Sequence, residues 1–186
     1  MLTGQLARLK SFTARKRYMN SLYTTLGTGT GRKVYDIGSG KALKLAINAR
    51  GKAQNLTEAV ISSYYSTILP TVYSQDEGGE WIICDKAISV RKADFKKYLG
   101  VDMDTVFSYM DPTARVTACI PSAVQSAISC IADFDLVPAD ITRKGSWGLI
   151  GDRMVIRDCG LTEEVWREFY KETYVNGRWV KGERKV

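Results

Sequence analysis

Histidine is absent from all 186 residues. That excludes Ser-His-Asp and Cys-His nucleophilic sites, His-ligated metals and imidazole acid–base chemistry. Any catalysis must run on carboxylates, lysine, hydroxyls, thiols or a bound metal. Cysteine is sparse. Cys84, Cys119, Cys130 and Cys159 are scattered with no C-x-x-C pair, which argues against a four-thiolate zinc site. No secretory signal opens the chain, so the thiols read as reduced, small apolar residues of a cytoplasmic protein. No apolar run approaches the ~20 residues needed to span a bilayer. Internal repeats, low-complexity tracts and long Pro/Gly/Ser linkers are also missing.

What is present suits one domain, or one small two-lobed domain, with a real core: 45% of residues are hydrophobic. The formal charge is +7, with basic residues at both ends. Residues 2–23 carry Arg8, Lys10, Arg15, Lys16 and Arg17, while Leu2, Leu6, Leu9 and Phe12 recur at helical spacing. This basic amphipathic helix (residues 1–22) either docks on a polyanionic partner or packs on its own domain. The C-terminus adds Arg178, Lys181, Arg184 and Lys185. Near them Tyr170, Tyr174 and Trp179 interleave with Arg167, Lys171 and Arg178. That pattern fits nucleic-acid stacking or, more simply, an amphipathic helix packed on the domain.

The pattern along the chain predicts an α+β fold. Strands around residues 24–26, 33–37 and 42–46 form a meander, and a helix follows over about 52–67 with Leu56, Val60 and Tyr64 on one stripe. Two strands, 71–74 and 80–84, flank a turn at Asp76-Glu77-Gly78-Gly79. Helices are expected over 93–99, 103–110 and 122–134, then short strands at 147–150 and 154–156, then a helix capped by Thr162. The switch from the β-rich part (23–87) to the helical part (88–186) falls near residues 84–87.

Gly27-Thr28-Gly29-Thr30-Gly31 lies between two expected strands, where backbone N–H groups can approach a phosphate or simply form a hairpin tip. Lys44 sits inside the apolar run Ala42-Leu43-Lys44-Leu45-Ala46, and a lysine buried in a core strand needs a partner. Glu58, on the following helix, is the natural one.

The order strand, glycine loop, strand, lysine strand, glutamate helix, two strands, helices resembles that of protein kinases. The stretches LGTGTGRKVYDIGSGKALKLA, GKAQNLTEA, SWGLIGD and RDCGLTEEVW resemble small kinase-like proteins of tailed bacteriophages. The resemblance implies a β-rich N-lobe with one helix and a truncated helical C-lobe. It implies ATP and magnesium as cofactors. Gly27, Gly29 and Val34 match the kinase glycine loop, with Arg32 in place of its third glycine. Lys44 and Glu58 match the phosphate lysine and its glutamate. Asp85 and Ala87 would meet adenine through their backbones, with Cys84 as gatekeeper. Asp140, in Pro138-Ala139-Asp140, stands where the catalytic aspartate belongs. Ser146 falls where a metal-binding asparagine belongs, and Asp158, in Arg157-Asp158-Cys159-Gly160, is the magnesium aspartate.

The departures at Arg32, Ala139 and Ser146 touch phosphate cover, catalytic loop and metal. The chain also stops soon after the D-x-G segment. The expected function is a degenerate kinase-like phage protein acting as an interaction or structural module, in the host cytoplasm or incorporated in the virion. Its expected partner is a protein rather than nucleic acid, with weak nucleotide binding retained. The alternative is a minimal active phosphotransferase, because Lys44, Glu58, Asp140 and Asp158 are all present.

Overall fold

A computed structural model describes residues 2–111, 113, 119–175 and 178–181, with the backbone alone for 172–175 and 178–181. The fold is mixed α+β. The chain divides into two compact units: residues 1–66 with 70–87, and residues 67–69 with 88–186.

The first unit opens with two helices rather than one, α1 (Leu2–Arg8) and α2 (Phe12–Leu22). The break has a local cause. Ser11 is extended and its hydroxyl accepts the Ala14 N–H, so a new helix starts where continuous periodicity predicts none. Five strands then form an antiparallel sheet: β1 (Thr24–Thr28), β2 (Arg32–Gly38), β3 (Lys41–Ala46), β4 (Val72–Gln75) and β5 (Trp81–Asp85). Their order is β1-β2-β3-β5-β4. Helix α3 (Ala49–Tyr64), capped by Asn48, lies between β3 and β4 in sequence.

Strand β3 is buried on both faces, and its period-2 alternation separates two environments. Leu43 and Leu45 join Tyr35 and Trp81 in a core closed by Leu6 and Met19 of the N-terminal helices. Lys44 faces the other way, toward α3, in register with Val34 on β2 and Ile82 on β5. Arg15 is buried too. It donates to Glu80 Oε2 at 2.7 Å and to the Leu6 carbonyl at 3.3 Å, fastening α2 to the sheet. The N-terminal helices therefore pack on their own unit and leave Arg8, Lys10, Lys16 and Arg17 exposed.

The second unit carries α4 (Lys92–Leu99), α5 (Met103–Tyr109), α6 (Ser122–Asp133), α7 (Pro138–Ile141) and α8 (Glu163–Phe169). A three-stranded antiparallel sheet runs β6 (Ile88–Ser89), β7 (Trp147–Ile150) and β8 (Arg153–Ile156). Phe95 packs edge-on against Phe107 at 5.7 Å and tilted against Trp147 at 5.6 Å, centring this core. After α8 the chain forms a hairpin of β9 (Glu172–Val175) and β10 (Arg178–Lys181). The helix considered for this stretch is thus replaced by strands, as the β-prone runs ETYV and RWVK favour. The side chains of Tyr174, Arg178, Trp179 and Lys181, and residues Arg184 and Lys185, lie outside the described residues, and the stacking pattern with them.

Candidate functional site

Within the first unit, Lys44 and Glu58 meet. The Lys44 ammonium donates to Glu58 Oε1. Arg32 joins them: its Nη1 donates to Glu58 Oε2 at 2.6 Å and to Asn55 Oδ1 at 3.3 Å. Relative exposure is 5% at Arg32, 6% at Lys44 and 2% at Glu58. Strand parity explains the meeting. Arg32 and Val34 share a sheet face, and Val34 pairs with Lys44. Glu58 is one helical turn beyond Asn55, so both look at the same strands.

Asn55, fully buried, ties the arrangement together. Its Nδ2 donates to the Gly79 carbonyl at 2.9 Å and to the Lys44 carbonyl at 3.3 Å. Gly79 has φ +74, and a Cβ there would lie 2.5 Å from the Lys52 carbonyl oxygen. Only glycine allows the β4–β5 turn to reach Asn55 at this distance.

The glycine loop is drawn onto the start of α3. The Ile47 N–H donates to the Gly31 carbonyl at 2.9 Å, and Asn48 Nδ2 donates to the Thr30 carbonyl at 2.8 Å. A Cβ on Gly51 would come within 1.9 Å of the Gly31 oxygen, so loop and helix touch backbone to backbone. Gly29 donates its N–H to the Arg32 carbonyl at 2.8 Å. Gly27 lies exposed in β1, where a Cβ would meet nothing within 4 Å. Packing demands glycine at Gly31 and Gly51, not at Gly27 or Gly29.

The remaining first-unit candidates lie at the end of β5. Asp85 accepts from the Thr71 N–H at 3.0 Å and the Tyr73 hydroxyl at 2.7 Å, while its own N–H donates to Thr71. These bonds fix the β4–β5 edge. Ala87 is half-buried and ends the unit. Cys84 is buried, and burial pushes its thiol up to about 11 against the opposing pull of Lys44. It is a neutral packing group at neutral pH.

In the second unit, Asp140 lies on α7 and is ion-paired to Arg143. Its carbonyl accepts the Ser146 hydroxyl at 2.5 Å. The Arg157 N–H donates to the Ser146 carbonyl at 2.8 Å, and Arg157 Nε donates to the Gly145 carbonyl at 2.8 Å. The structure thus joins Asp140 and Ser146 in one loop cluster, stitched to the end of β8. Asp158 is exposed just beyond β8.

The chemistry of these donors fits a resident magnesium ion poorly. Magnesium asks for several oxygens in a tight octahedron. Ser146 is buried with its hydroxyl donated to its own loop. Among the described residues no three His, Cys, Asp or Glu side chains gather as a metal group. Nor, among the described residues, is any helix long and apolar enough to cross a membrane.

The chain matches no protein-family model and no curated protein. The local geometry carries the functional reading alone.

Sequence reasoning missed two members of this site. Asn55 lies in the stretch GKAQNLTEA with no charge or motif to single it out, and the kinase resemblance marks Arg32 only as a replaced glycine. For Arg32 the signal was available: two residues before Val34, it must share a sheet face with it. For Asn55 none was, because its partners are backbone carbonyls of β3 and of the β4–β5 turn.

Proposed function

We propose that the chain is a degenerate kinase-like protein, of the kind tailed phages encode, that works as an interaction or structural module with weak nucleotide binding. One observation carries the reading: both oxygens of Glu58 are committed, one to Lys44 and one to Arg32. An efficient phosphotransferase presents its lysine to nucleotide phosphates. Here the lysine side chain is 7% exposed and tied into a buried network that braces β2, β3 and α3. A guanidinium and an ammonium meet at this one carboxylate, and both are anion-binding groups. The exposed Arg8, Lys10, Lys16 and Arg17 supply a face for an acidic protein partner, in the host cytoplasm or the virion.

The second reading, a minimal ATP-dependent phosphotransferase, is favoured by the Lys44–Glu58 contact itself. Asp140 would be the base and Asp158 the metal ligand. Incubation of pure protein and host lysate with γ-labelled ATP separates the two. No transfer above the Asp158→Ala control is expected. Magnesium-dependent labelling that Asp158→Ala abolishes establishes the phosphotransferase instead.

A further inference from the structure

Strand β1 ends the five-stranded sheet and pairs with β2 alone among the described strands. All its residues, Thr24-Thr25-Leu26-Gly27-Thr28, are exposed. The outer edge of a strand carries backbone N–H and C=O groups that can template another strand, so edges are usually blunted by charge, proline or a covering element. Strand β1 has no charge and no proline. Its one irregularity is a bulge that leaves Leu26 without a counterpart on β2, and Leu26 is 48% exposed. A Cβ on Gly27 would meet nothing within 4 Å, so the strand lies open.

The charge around this edge is of one sign. Residues 1–66 and 70–87 hold 12 Lys and Arg against 6 Asp and Glu, so this unit carries six of the seven net charges. Lys33 stands opposite Thr28 and donates to Asn20 Oδ1 of α2 at 2.7 Å. Exposed Lys16 and Arg17 lie one helical turn before Asn20. The acid beside β1, Asp36 opposite Thr24, holds Lys86 at 2.9 Å. Glu58 and Glu80 each hold two cations. The others, Asp76, Glu77 and Asp85, stand with β4 at the far edge of the sheet.

We propose that β1 takes up an extended acidic segment of a protein partner as a further strand of the sheet. Main-chain hydrogen bonds along the β1 edge hold the segment, its carboxylates meet Lys33, Lys16 and Arg17, and an apolar residue covers Leu26. Other occupants fit worse. Nucleic acid has no amide backbone to extend a sheet, and β1 carries no aromatic ring for a base to stack on. A second copy pairing β1 with β1 sets these cations against their own kind. Asp76 and Glu77 repel the same segment from β4, the other outer strand. The proposal rests on the reading of the chain as an interaction module, and it adds the partner's conformation and the strand that holds it.

Fluorescence polarisation of a labelled, end-capped peptide of alternating Glu and Val tests it, with the full chain and no nucleotide. Binding should weaken several-fold as salt rises from about 50 to about 300 mM. The same peptide N-methylated throughout keeps its charge but has no sheet donors, and should bind about ten-fold more weakly or not at all. Lys16→Glu with Arg17→Glu, both at exposed positions, should keep the melting curve and weaken binding about ten-fold. Amide hydrogen exchange should slow over Thr24–Thr28 on saturation with peptide and stay unchanged over Val72–Gln75. No binding, or binding that the N-methylated peptide matches, overturns the proposal. Displacement of the peptide by a lower concentration of single-stranded DNA overturns it in favour of nucleic acid, and dimers that protect β1 without peptide overturn it in favour of a second copy. Protection confined to α2 also overturns it, while leaving the module reading standing. Failure of the module reading itself shows in the γ-labelled ATP experiment, which contains no peptide.

Discussion

Arg32 donates through Nη1 to Glu58 Oε2 at 2.6 Å, from the position where a phosphate-binding loop would carry its last glycine. The two residues lie 26 apart in sequence. Their contact turns a pattern read as a nucleotide cradle into a brace between β2 and α3.

Removing the shared carboxylate should therefore hurt more than removing either cation. Glu58→Gln takes the shared carboxylate from two buried cations, at a cost of about 3–5 kcal/mol. Arg32→Met keeps the Lys44–Glu58 pair whole and should cost clearly less. Urea unfolding of both variants checks the order, and equal losses would contradict the brace.

The glycines sort by contact rather than by motif position. Gly51→Ala would drive a Cβ to 1.9 Å from the Gly31 oxygen and should cost ~3 kcal/mol, although alanine is the better helix former. Gly29→Ala meets only the Arg32 oxygen, at 3.7 Å, and should change stability by about 1 kcal/mol or less. Thermal melts of the pair decide it. A Gly51→Ala protein as stable as the parent refutes the close approach.

Alkaline pH should weaken the fold through its buried thiols. Unfolded cysteines lose their protons near the model-peptide value of 9.0, whereas burial holds Cys84 up to about 11 and Cys130 up to about 12. Within that window the unfolded chain binds fewer protons than the folded one. Stability contributed by each thiol is thus complete below pH 9 and lost as pH rises toward the folded value. The loss is roughly 2–3 kcal/mol for Cys84 across its window. Unfolding free energies measured from pH 8 to 11 should fall less steeply in Cys84→Ala. Identical slopes would mean the thiol is not buried as described.

Much of the architecture was legible because local signals agreed. The Lys44–Glu58 pairing followed from a charged residue in an apolar strand with one acidic residue on the next helix. The strands expected at 33–37, 42–46, 71–74 and 80–84 lie within a residue of β2, β3, β4 and β5 at each end. Three features were hidden. The break at Ser11 was masked by leucine spacing that continues through it. The last hairpin, β9 with β10, was hidden behind the alternation of aromatic and basic residues that suits an amphipathic helix. The stripe of α3 misled most. Leu56, Val60 and Tyr64 have the spacing of a buried face, yet the helix turns its polar side inward to serve Lys44, Arg32 and the Gly79 carbonyl. Periodicity finds a stripe but cannot say which side meets the core when buried charges need partners.

The most direct test of the closed Arg32–Glu58–Lys44 network is a nucleotide titration of the pure protein, followed by melting temperature with and without magnesium. With both Glu58 oxygens committed and no three metal-ligating side chains gathered among the described residues, a small shift is expected, reached only at millimolar ATP and unchanged by magnesium. A large magnesium-dependent shift at micromolar ATP, lost in Asp158→Ala, would contradict it.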